Sequence, residues 1–80
     1  MVRTPIALLV RRGISPEQAS SALSEYRAKG LPVYALARDD GTVSVYAGAF
    51  ESADQAESLL SMFNASGERP SVAYRIGRVP

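Results

Sequence analysis

The stretch Ser15-Pro16-Glu17-Gln18-Ala19-Ser20-Ser21-Ala22-Leu23-Ser24-Glu25-Tyr26-Arg27-Ala28-Lys29-Gly30 recurs 37 residues later, as Ser52 to Gly67, with eight of sixteen positions identical. The identities are Ser15/Ser52, Gln18/Gln55, Ala19/Ala56, Ser21/Ser58, Leu23/Leu60, Ser24/Ser61, Ala28/Ala65 and Gly30/Gly67, and Tyr26 lies over Phe63. An internal repeat and the chance convergence of two helices with the same caps both explain this, and both make each segment a helix. Ser15 and Ser52 stand at N-cap positions with Gln18 and Gln55 three residues on, the spacing of a capping box. Ala19, Ala22, Leu23 and Tyr26 then recur at helical spacing, as do Ala56, Leu59, Leu60 and Phe63, so each helix has one apolar face. Gly30 and Gly67 stop them, with Pro32 and Pro70 shortly beyond.

Around the helices lie four strand candidates, Ile6–Arg11, Val33–Arg38, Thr42–Ala47 and Val72–Ile76. Asp39-Asp40-Gly41 between the second and third is a hairpin signal. The order β-α-β-β-α-β predicts an α+β, ferredoxin-like split βαβ fold, a four-stranded antiparallel sheet with two helices on one face. Two narrow apolar stripes coat one side of such a sheet, so the other side is expected to be open and to carry the function.

Alternation sorts the side chains between the faces. In the first strand Ile6, Leu8 and Val10 point inward, which puts Ala7, Leu9 and Arg11 on the open face. In the third, Val43, Val45 and Ala47 point inward and Thr42, Ser44 and Tyr46 outward. The second and fourth strands are apolar on both sides. Placing larger residues beneath the helices buries Tyr34 and Leu36 in one, and Val72, Tyr74 and Ile76 in the other, leaving Arg75 outward.

The 80-residue chain has the length of one small domain, residues 1–80, held by packing alone because it contains no Cys. Having no His either, it lacks the usual zinc ligands, the commonest general base and the strongest side-chain nucleophile. No catalytic residue, metal site or cofactor is expected. Asp39 and Asp40 suit turn chemistry better than paired acid and base catalysis of glycoside cleavage. Nine Lys+Arg against eight Asp+Glu give a net charge of +1, too little for non-specific nucleic-acid binding. The third strand offers one aromatic where an RNA-recognition sheet carries several, and no glycine-rich phosphate loop is present. The apolar run Ile6 to Val10 is five residues, too short for a signal sequence or a membrane span. Direct membrane insertion by this segment is not expected.

The run Val43-Ser44-Val45-Tyr46-Ala47-Gly48-Ala49-Phe50-Glu51-Ser52-Ala53-Asp54-Gln55-Ala56 resembles the second repeat of a SPOR (sporulation-related) domain: an alternating strand, Gly-x-Phe, and a Ser-capped helix opening with acid and Ala. Gly48, Phe50, Ser52 and Ala56 fall on those positions; the first half keeps the helix start but not the Gly-x-Phe. The resemblance implies a non-catalytic module of a bacterial periplasmic or envelope protein, excised from a longer chain, that binds peptidoglycan glycan strands, with a preference for septal strands stripped of stem peptides. It also implies a ligand on the open sheet face. Leu9 stands where the family often has Gln, and Ser44 and Tyr46 occupy the third-strand positions.

The candidate glycan site is therefore Leu9, Arg11, Ser44, Tyr46 and Arg75. Tyr46 offers a ring for a sugar face, or simply a cross-strand packing surface. Arg11 and Arg75 offer planar donors for carboxylate or acetamido oxygens, or are solvated charges. Outward Ala7 and Leu9 raise the alternative of a protein interface, through which the face would form a homodimer or dock an envelope partner.

Overall fold

A computed structural model describes residues 5–75 and residue 77. Its elements are β1 (Ile6–Ile14), α1 (Pro16–Ala28), β2 (Val33–Ala37), β3 (Val43–Phe50), a 3₁₀ turn (Ala53–Ala56), α2 (Glu57–Ala65) and β4 (Ser71–Tyr74). The strands form one antiparallel sheet in the order β2-β3-β1-β4. This is the α+β arrangement that the order of elements predicts. Ile76 and Arg78 lie outside the described residues.

Helix α1 starts as its sequence dictates. The Gln18 amide donates to Ser15 Oγ at 3.2 Å, the Gln18 carboxamide accepts from the Ser15 amide at 3.3 Å, and Pro16 fixes the first helical position. The second start departs from the expected box. Ser52 makes no side-chain cap bond, and the Gln55 carboxamide accepts instead from the Glu51 amide at 2.8 Å. With no proline to set φ, Ala53–Ala56 wind as 3₁₀, and that tighter turn carries Gln55 one residue further back. The two helix ends, by contrast, are alike. The amides of Leu31 and Glu68 reach back to the carbonyls of Tyr26 and Phe63, each at 3.0 Å, as in a Schellman closure. Tyr26 and Phe63, which occupy equivalent positions, meet with ring centroids 6.2 Å apart at 57°.

Between helices and sheet lies the main core, where Leu8, Val43, Val45 and Ala47 pack with Ala19, Tyr26, Ala56 and Phe63. Strand β2 reverses the expected orientation: Val33 and Ala35 face the helices, and Tyr34 and Leu36 the other side. The reason is register: the closure between Arg38 and Thr42 sets Tyr34 opposite Tyr46 and Leu36 opposite Ser44, on the side away from Val43 and Val45. In β4, Val72 pairs with Leu8 and Tyr74 with Ile6, so they lie on the helix side as expected. They stay 41% and 68% exposed, because this edge strand runs beyond the cover of the helices.

Strand β1 carries the second correction. Leu9 pairs with Tyr46 but Arg11 pairs with Val45, so two residues of β1 are spent against one step of β3, a β-bulge. Both Val10 and Arg11 then fall on the helix side. Arg11, expected on the open face, lies instead with its guanidinium carbon 5.4 Å from the Tyr26 ring centroid and 3.3 Å (Nη1) from Glu68 Oε1.

Candidate ligand-binding face

The hairpin loop sets the row of side chains on the helix-free face. The Arg38 amide donates to the Thr42 carbonyl at 2.8 Å, closing a three-residue loop in which the Asp40 carboxylate accepts from the Thr42 amide at 3.0 Å and from its hydroxyl. These bonds hold the Asp40 carboxyl below the ordinary carboxylate range and explain the acidic pair as turn chemistry. From that closure Leu36 falls opposite Ser44, and Tyr34 opposite Tyr46. The two tyrosine rings stack with centroids 6.1 Å apart at 24°, and the Tyr34 hydroxyl donates to the Gly48 carbonyl at 2.7 Å. Leu9 lies beside Tyr46 on the next strand, and Ala7 completes the cluster.

Four of the five residues expected at the site are thus brought to one face: Leu9, Ser44, Tyr46 and Arg75. Arg11 is not. Arg75 follows Ala73, which pairs with Ala7, and its guanidinium reaches the Tyr34 hydroxyl. Burial pushes the Tyr34 hydroxyl above its ordinary pKa, and the hydrogen bond and charge of Arg75 offset only part of that rise. Ser44 is tied down by the Gly13 amide, which donates to its Oγ at 3.4 Å.

The face is not open, which corrects the expectation drawn from helix count. Ala7 and Ser44 are 0% exposed and Tyr46 2%, although no described helix residue packs there. Two described residues beyond β4, Arg75 and Gly77, lie at it. The Arg75 amide is held by the Pro5 carbonyl at 2.8 Å, and Gly77 lies against Leu36 and the Ala37 carbonyl of β2, at the far edge of the sheet. Tyr34 and Leu36 belong to this face and were missed in the sequence. Counting outward from Asp39-Asp40-Gly41 would have found both, since a closure at Arg38 and Thr42 puts Tyr34 opposite Tyr46.

On the helix side the Tyr26 hydroxyl donates to Glu68 Oε1 at 2.8 Å, and its pKa is pushed up to about 12 by burial first and by the Glu68 hydrogen bond second. Unfolded tyrosine ionises near its ordinary value of 10.0, so the unfolded chain loses this proton first as the pH rises. Stability contributed at neutral pH is therefore lost between about pH 10 and about pH 12. Urea unfolding at stepped alkaline pH should show a steeper fall for the natural chain than for Tyr26→Phe; equal slopes would contradict a role for this proton.

Among the described residues no cluster of three or more carboxylates is placed to hold a metal, and no helix is long and apolar enough to cross a membrane. A family model described as SPOR domain matches residues 12–74. The chain belongs to the SPOR domain family. Compared with curated proteins and with solved structures, it matches none of them. SPOR domains are binding modules of bacterial cell-envelope proteins, and the ligand of the family is peptidoglycan. In this SPOR domain the Gly-x-Phe has a definite geometry. Gly48 has φ +72, and the Phe50 ring lies where a Cβ on residue 48 would be, as strand β3 leaves the sheet for the 3₁₀ turn.

Proposed function

We propose that this SPOR domain is a non-catalytic module that binds peptidoglycan glycan strands on its helix-free sheet face, with stem-peptide-stripped strands preferred, and so localises a longer envelope protein in the periplasm. Residues 1–80 are read as one such domain. The observation that carries this reading is the stacked pair Tyr34 and Tyr46 with the Arg75 guanidinium beside it. A glycan needs flat apolar surface for its sugar faces and donors for its acetamido and carboxylate oxygens. Leu9 and Tyr34, half-buried beside the buried Tyr46, supply the first; Arg75, half-buried near the buried Ser44, supplies the second. The apolar share of the face, with Ala7, Leu9 and Leu36, supports a competing reading in which a second copy or an envelope protein docks there.

The test is an NMR titration of the labelled chain with amidase-stripped glycan strands, beside peptide-bearing fragments as the comparison. Stripped strands should move the resonances of Leu9, Tyr34, Ser44, Tyr46 and Arg75 and leave Arg11 and Glu68 in place. Shifts gathered around Arg11 and Glu68 would overturn the assignment of the face. Absence of shifts at millimolar sugar in a folded monomer would overturn the ligand. A stable dimer whose interface protects the half-buried Leu9 and Tyr34 would favour the competing reading.

A further inference from the structure

The sheet has two edges, β2 and β4, and they are built differently. On β2 the closure between Arg38 and Thr42 makes Tyr34 and Leu36 the residues bonded to β3, so the backbone groups of Val33, Ala35 and Ala37 point outward. That edge is guarded at both ends: Arg27 Nη2 donates to the Val33 carbonyl at 3.4 Å, and Gly77 lies against the Ala37 carbonyl. On β4 the Arg75 amide bonds to the Pro5 carbonyl, which makes Ala73 and Ser71 the residues bonded to β1. The amides and carbonyls of Val72 and Tyr74 therefore point away from the sheet, and among the described residues none bonds to them. Natural edges are blunted by lysine, proline, a bulge or a covering element. Ser71-Val72-Ala73-Tyr74 has no charge and no proline, pairs with β1 in unbroken register, and leaves Val72 and Tyr74 among the exposed large apolar residues.

We infer that β4 pairs antiparallel with β4 of a second copy, about a twofold axis at Ala73. The strand is complementary to itself in one register. With Val72 opposite Tyr74 of the second copy, and Tyr74 opposite its Val72, every outward amide and carbonyl of both strands is bonded. A shift of two residues one way sets Tyr74 opposite Pro70, which has no amide. The opposite shift pairs Tyr74 with itself and carries Val72 past the end of the second strand. The twofold register also places an aromatic directly beside a β-branched residue on the helix side, twice. Ala73 meets Ala73 at the axis, where the strands come closest and a methyl group fits. Ser71 faces Arg75 of the second copy, so no like charges are directly opposed. The two four-stranded sheets become one, with both helix-free faces on the same side. Leu9 and Tyr34 stay clear of this contact, which sets it apart from docking through the helix-free face, and no glycan is needed for it.

Sedimentation velocity of the natural chain from about 10 μM to about 1 mM should show monomer passing to dimer, as for a small interface of weak affinity. Hydrogen exchange read by NMR at the two ends of that range should slow at the amides of Val72 and Tyr74, which the monomer leaves to water. Tyr74→Lys should weaken the dimer by about tenfold, because both aromatic pairs are lost. Val72→Pro removes an outward amide that the monomer does not use, and should abolish the dimer. A monomer throughout the range would overturn the proposal. So would a dimer in which the Val72 and Tyr74 amides exchange as they do in dilute solution, or one that Tyr74→Lys leaves unchanged. Should the proline variant lose its dispersed spectrum, Tyr74→Lys decides alone, since its side chain is 68% exposed and carries little of the fold.

Discussion

Phe63→Ala is expected to lower the unfolding free energy by about 3–5 kcal/mol. For an 80-residue chain the whole stability is on the order of 4–12 kcal/mol, so this one change removes about a quarter of it or more. The ring is fully buried and lies between helix and sheet, tilted against Tyr26. Its neighbours in the core include Ala19, Ala47 and Ala56, which have no side-chain length with which to fill a void. The Phe63 carbonyl also accepts the Glu68 amide that closes α2, so the position joins packing to helix termination. Urea unfolding should show the midpoint falling with little change in slope. A loss below about 1 kcal/mol would mean that the core collapses around the missing ring despite its alanine lining, and that Phe63 is not its main support.

The elements and their order were legible because their signals are local. Caps at Ser15, glycine stops at Gly30 and Gly67, and the Asp40-Gly41 turn each act within a few residues. The Gly48-x-Phe50 signature was equally local, and it led to the family. The features that escaped are relations between distant segments. The run Ile6 to Val10 is apolar throughout and marks no register of its own, and the bulge that turns Arg11 toward Tyr26 exists only in the register of β1 against β3. The orientation of β2 is fixed by its pairing with β3, Tyr34 opposite Tyr46, so the rule that places large residues under helices failed there. Ser44 and Tyr46 were assigned to the correct face, yet they are buried there, Tyr46 among Ala7, Leu9, Tyr34 and Leu36 from two other strands. For that reason Tyr46→Ala, a clean probe of an exposed residue, here also removes a buried ring and mixes stability with binding.

Gly48→Ala is expected to destabilise the domain by about 3 kcal/mol or more, through two costs that can be separated. The first is conformational: an alanine held in the left-handed region costs roughly 1–2 kcal/mol. The second is steric, because a Cβ at this position would lie 2.5 Å from Phe50 Cζ, 2.6 Å from Phe50 Cε2 and 2.8 Å from Leu59 Cδ2. Phe50 cannot swing aside freely, since it packs against the core between the end of β3 and the start of the 3₁₀ turn. Gly41→Ala isolates the first cost: its φ of +84 is similar, and nothing lies within 4 Å of the added carbon. Thermal or urea unfolding should therefore rank Gly48→Ala well below Gly41→Ala, and equal losses would remove Phe50 and Leu59 from the explanation. The effect should also reach the other face of the sheet. The Gly48 carbonyl accepts the Tyr34 hydroxyl, so a backbone shift that relieves the clash with Phe50 disturbs the tyrosine stack. A partly stable Gly48→Ala chain should then show altered Tyr34 and Tyr46 resonances even where the helices keep their native shifts, which ties the Gly-x-Phe turn to the geometry of the binding face as well as to the fold.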